Sequence, residues 1–265
     1  MIERRTATSI YAAPLTVPGL SDCYFYHSID IPGYGPVDGD WDLRKGVDQY
    51  LGGVDFTQKR VLEMGTADGF LAFEMERRGA EVVSYDLSEQ DAWDVVPYAQ
   101  YDHRAFLHHY QADTPRMNNA YWLCHRAFNS SARMVYGHAS ALPEAIGPVD
   151  IATFGSILVH LRDPLTAIER ALRLTRETVI VTDLLGRGLR HYLRFIPLRW
   201  QRPTFTFLPD WRRAEPKDAW CYLSPALVVR ILGVFGFEQT EVRYHRQLYH
   251  GRPTWLFTVV GRRTR

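Results

Sequence analysis

The chain has 265 residues, 46% hydrophobic and 23% charged, with a net charge of +1. This composition excludes a disordered chain, a fibre and a protein built to embrace a polyanion. No run of about 18 apolar residues offers a membrane span, and the N-terminus lacks the apolar core of a signal peptide. Cys23, Cys124 and Cys221 are too scattered for a disulfide framework or a cysteine-based zinc site, so a cytoplasmic protein is expected.

Residues 1–40 are rich in Tyr, Pro and Gly and predict a loop-rich arm. Over 41–51, Leu43, Val47, Tyr50 and Leu51 fall at helical spacing. Short apolar runs then alternate with amphipathic segments. Strands are expected over 60–64, 81–86, 133–136, 150–155, 177–183, 239–246 and 255–261. Helices are expected over 69–78, 117–128, 164–174 and 224–234. Strand–helix–strand at this pitch predicts an α/β fold with a doubly wound, seven-stranded sheet, mostly parallel. The short link around His250-Gly251 makes the last strand antiparallel. The expected division is an N-terminal arm and helix over 1–55, then one domain over 56–265. Segments 91–116 and 186–220 interrupt the alternation. Their length suggests caps over the carboxyl ends of the strands, where open α/β sheets bind ligands.

One stretch carries chemistry. Val61–Met64 would be an apolar strand with Glu63 near its end, followed by Gly65, Gly69 and a helix. Glycine there permits a tight turn and close approach of a ligand to the main chain. Ala67 and Phe70 occupy the second and third glycine positions of the dinucleotide fingerprint, which disfavours NAD and FAD. A phosphate-binding G-x-x-x-x-G-K-[ST] loop is also missing from the sequence. Asp86, which ends the next predicted strand, suits the two hydroxyls of a ribose.

Glu63-x-Gly65-x-x-x-Gly69 followed by Asp86 resembles the class I S-adenosylmethionine-dependent methyltransferases. The resemblance implies a Rossmann-like fold and S-adenosyl-L-methionine as cofactor. It implies cofactor contacts from Glu63, Gly65, Thr66, Ala67, Gly69, Phe70, Asp86 and Leu87. The end of the third strand adds His138 and Ala139, and that of the fourth adds Gly155 and Ser156. The runs Phe25-Tyr26-His27-Ser28-Ile29, Trp41-Asp42-Leu43-Arg44 and Val159-His160-Leu161-Arg162-Asp163-Pro164 further resemble the branch related to tRNA wobble-uridine carboxymethyltransferases. Asp40, just before Trp41, would repel a carboxylated cofactor, which favours methyl transfer.

The expected activity is methylation of a small molecule at a hydroxyl, with His160 as the base. Methyl or carboxymethyl transfer to a tRNA wobble uridine is the alternative. Tyr26, Trp41, Arg44 and Arg194 are weaker candidates for substrate contact. Seven arginines over 187–213 face only Asp210 as an acid. They leave open an anionic or lipid-like substrate, RNA, a membrane surface or a merely solvated face. His103, His108 and His109 lack the carboxylate spacing of a metal motif, so no metal is expected.

Overall fold

The computed structural model describes residues 9–186 and 188–265. Its arm holds more regular structure than its composition suggests. Ile29–Ile31 (β1) and Gly35–Val37 (β2) form an antiparallel hairpin, and Trp41–Asp42 (β3) pairs with the edge of the main sheet. Of the helix expected over 41–51, only Val47–Tyr50 (α1) is helical. Trp41 is buried and gains a β partner in Tyr249, so long-range pairing outcompetes the local helical spacing.

The alternation that follows is Arg60–Met64 (β4), Phe70–Arg77 (α2), Glu81–Asp86 (β5), His103–Ala127 (α3), Arg133–Tyr136 (β6) and Val149–Gly155 (β7). Pro164–Leu174 (α4), Thr175–Leu184 (β8), Phe205–Phe207 (β9), Cys221–Leu223 (β10), Pro225–Val234 (α5), Gln239–Tyr249 (β11) and Arg252–Arg262 (β12) complete it. Two helix starts are readable from single residues. Asp163 accepts the Thr166 N–H at 3.0 Å before Pro164, and Ser224 accepts the Leu227 N–H at 3.2 Å before Pro225. Each pairs an N-cap side chain with a proline at the first helical position.

The main sheet has the order β3-β11-β12-β8-β7-β4-β5-β6. It has eight strands rather than seven, and β3 from the arm is the addition. Strands β8, β7, β4, β5 and β6 run parallel, whereas β12 is antiparallel to both β8 and β11. His250 and Gly251 make the two-residue turn, both with positive φ. Apolar residues clothe both faces. Val61 belongs to the core that includes residues of the arm, α2 and α3; Leu62 and Met64 belong to the core shared with α4 and α5. From β4 the chain steps outward to β5 and β6, then returns to β7 on the other side of β4. The order therefore reverses between β4 and β7, and a crevice opens at their carboxyl ends.

The two interrupting segments differ from expectation. α3 starts at His103 rather than 117 and runs through Pro115. Tertiary contacts hold this extra length despite the proline: Trp93 donates to Thr114 Oγ1 at 2.7 Å, and Arg116 donates to the Cys23 carbonyl at 3.1 Å. Segment 186–220 contains β9, which pairs antiparallel with β10. The segments are also tied together: the Val96 N–H reaches the Lys217 carbonyl at 2.8 Å, and Tyr98 Oη donates to the Pro216 carbonyl at 3.0 Å. Among the described residues, no helix is long and apolar enough to cross a membrane.

Candidate active site

The crevice over β4 and β7 encloses about 260 Å³. Its floor is the turn after β4. Gly65 adopts φ +78°, and a Cβ there would press on the Ile157 side chain at 3.0 Å, so the position needs glycine on two counts. Ala67 and Ser156, also lining the crevice, take positive φ without being glycine, at 51° and 55°. Strained backbone of this kind persists only where its surroundings hold it. Here Asp86 Oδ2 accepts the Ala67 N–H at 2.6 Å, the Thr182 carbonyl accepts the Ser156 N–H at 2.7 Å, and Tyr50 Oη lies 3.1 Å from Ser156 Oγ.

Asp86 stands at the end of β5. Its other oxygen accepts the Leu87 N–H at 2.7 Å. Burial pushes its carboxyl above the ordinary range, and the two N–H bonds pull it part-way back. The result is an oriented carboxylate on the crevice wall, beside the apolar Leu87 and Ala139. This arrangement fits an adenosyl group, with its diol on Asp86.

His138 and His160 also line the crevice. His138 Nε2 lies 3.3 Å from Asp94 Oδ1, and its pKa is raised, mainly by that hydrogen bond. Burial pushes the Asp94 carboxyl up, but the bonds from His138 and from the Arg162 N–H outweigh it and hold it below the ordinary value. Segment 91–101 is thereby latched to the turn after β6. His160 sits at the end of the short helical turn Leu158–His160, after β7. Its Nδ1 is 2.6 Å from the Asp218 carbonyl. A carbonyl can only accept, so Nδ1 carries the proton and Nε2 of the neutral ring keeps its lone pair.

A family model described as a methyltransferase domain matches residues 42–241. The chain belongs to this methyltransferase-domain family. Similar folds among solved structures include the N-terminal domain of EvdMO1 with S-adenosylhomocysteine bound, 16% identical over 92% of this chain and 93% of that one, TM-score 0.54. Magnesium protoporphyrin IX methyltransferase from Synechocystis PCC 6803 is 14% identical over 84% and 82%, TM-score 0.52. An O-methyltransferase family protein from Burkholderia thailandensis is 12% identical over 84% and 56%, TM-score 0.53. No curated protein matches the sequence significantly.

Of the residues expected in the methyltransferase site, the crevice lining gathers Gly65, Ala67, Asp86, Leu87, His138, Ala139, Gly155, Ser156, His160 and Tyr26. Others stand behind it. Glu63 is buried under the turn and accepts the Thr66 hydroxyl at 2.5 Å. Burial raises its pKa to about 7, with Thr66 opposing, and its Oε1 finds no partner among the described residues. Gly69 caps α2 in the left-handed conformation, and Phe70 begins that helix. Trp41 packs in the core but donates from Nε1 to Tyr26 Oη at 3.2 Å. Two candidates are elsewhere. Arg44 pairs with Asp30 and Asp42, both at 2.8 Å, and Arg194 lies over the Phe195 and Trp255 rings. Arg187 and the side chains of Arg190, His103, His108 and His109 lie outside the described residues.

The structure adds residues that the motifs do not mark. His27 of the arm binds Asp68 of the glycine turn twice, through its N–H at 2.6 Å and its Nδ1 at 2.7 Å. Asp94 and Asp218 come from the two interrupting segments, where no family pattern points to them, and both line the crevice.

Proposed function

We propose that the protein is an S-adenosylmethionine-dependent methyltransferase that acts on a hydroxyl of a small molecule. The cofactor supplies a methyl group made electrophilic by its sulfonium. Asp86 and the bare main chain at Gly65 would hold it, and the likeness in fold to proteins crystallised with S-adenosylhomocysteine supports that assignment. The observation that carries the hydroxyl reading is His160. Its ring lines the same crevice as Gly65 and Asp86, and the Asp218 carbonyl fixes the tautomer that leaves Nε2 with a lone pair. An alcohol attacks a methyl group efficiently only as its proton leaves, and Nε2 receives that proton. Tyr24, Tyr26 and Trp93 wall the crevice and exclude water.

A tRNA substrate would bring phosphates to a crevice whose lining, among the described residues, holds Asp40, Asp86, Asp94, Asp113 and Asp218 and neither Lys nor Arg. Like-charge repulsion favours the small-molecule reading.

Radiolabelled S-adenosylmethionine incubated with an extract and the protein identifies the acceptor; His160→Gln then tests the base. Glutamine keeps hydrogen-bonding capacity and similar size but cannot take the proton. The expected result is normal cofactor affinity with kcat lower by about 10²-fold or more. Turnover within a few-fold of wild type would make His160 structural.

A further inference from the structure

We infer that the acceptor is a cation, an amine-bearing hydroxyl compound whose ammonium group is held by Asp40 and Asp218. This rests on the methyl-transfer reading of the same crevice and adds the charge of its second substrate.

The fold defines the site as a cavity; its lining sets the charge. Two of the five lining aspartates are already engaged, Asp86 by two backbone N–H groups and Asp94 by His138. Asp40, Asp113 and Asp218 remain. Tyr24 Oη donates to Asp40 Oδ2 at 2.7 Å, which orients that carboxylate without neutralising it, and His250 stands 3.7 Å from its other oxygen. Asp113 is loosely paired with Arg116 at 3.9 Å. The Asp218 side chain makes no hydrogen bond or ion pair among the described residues, although its main chain holds His160. Burial raises the pKa of Tyr26, and the nearby charges of Asp40 and Asp218 add to the effect. Both carboxylates line the same crevice as Tyr24 and Tyr26.

S-adenosylmethionine brings two cations and one carboxylate, a net charge of plus one, which Asp40 and Asp218 outnumber once Arg116 is set against Asp113. A second cation completes the balance, whereas an anionic acceptor would enter an unmatched negative field. The rings of Tyr24, Tyr26 and Tyr249 line the same region and offer π-faces to an ammonium group. A metal ion is a poor occupant, because no group of three His, Cys, Asp or Glu suited to a metal occurs among the described residues. Anchoring the ammonium group on Asp218, whose own carbonyl orients His160, would bring a neighbouring hydroxyl to Nε2.

The test uses benzylamine, benzyl alcohol and benzoate, three probes on one skeleton, titrated by calorimetry into the protein saturated with S-adenosylhomocysteine. Benzylamine is expected to bind at least about tenfold more tightly than benzyl alcohol, with benzoate weakest. Asp218→Asn and Asp40→Asn should each erase most of that preference while S-adenosylhomocysteine affinity stays within about twofold, which also shows that the variants fold. Benzoate binding as well as benzylamine, no detectable binding of benzylamine, or a preference unchanged in both variants would overturn the proposal. Retained S-adenosylhomocysteine binding would leave the methyltransferase reading standing.

Discussion

The proposed chemistry rests on a few side chains whose orientation comes from the backbone around them. Asp86 shows this best, because the N–H groups of Ala67 and Leu87 aim its carboxylate into the crevice. Asp86→Ala is expected to cost about 1–3 kcal/mol of cofactor affinity, the range for hydrogen bonds to a charged group. Calorimetry with S-adenosylhomocysteine reads this directly, and an unchanged affinity would remove Asp86 from the site. The sequence brings Gly65, Asp86 and His160 to one crevice because each lies at or shortly after the end of a strand, and strand ends meet at one place in a doubly wound sheet. Asp218 was not legible. It follows the strand pair's first member in a segment with no motif, and its contact with His160 crosses 58 residues through a main-chain atom that no residue type announces.

At the scale of elements, three parallel strands were predicted to the residue, because buried strands carry continuous apolar runs bounded by charge and glycine. α3 was misjudged, since Pro115 is a local stop signal that distant contacts override. The segment before it is held over the crevice by the Asp94–His138 pair, which makes its docking depend on pH. The His138 pKa is raised, so the pair's contribution is fully present below the ordinary imidazole value near 6.5 and is lost as pH rises through the higher folded value. Asp94→Asn should lower the His138 titration midpoint seen by NMR. It should also cost about 0.5–1 kcal/mol of stability at pH 5.5 and less at pH 9. An unchanged midpoint would mean that the latch is not electrostatic.

Across the whole molecule, the predicted doubly wound order and the antiparallel β12 follow from the spacing of apolar runs, which sets connection lengths and hence which strands can be neighbours. The eighth strand escaped that logic. Two residues of β3 carry no periodicity, and only the finished sheet edge shows where they pair. The arm is likewise part of the crevice: His27 grips the glycine turn through Asp68, and Asp40 and Tyr26 wall the cavity. On the proposed function, one crevice brings the cofactor and His160 together. A crystal structure of the protein with S-adenosylhomocysteine tests it most directly. Both ribose hydroxyls are expected within about 2.6–3.2 Å of the Asp86 carboxylate, with the sulfur facing the part of the crevice lined by His160. A ligand bound elsewhere, or one whose sulfur points away from His160, would contradict it.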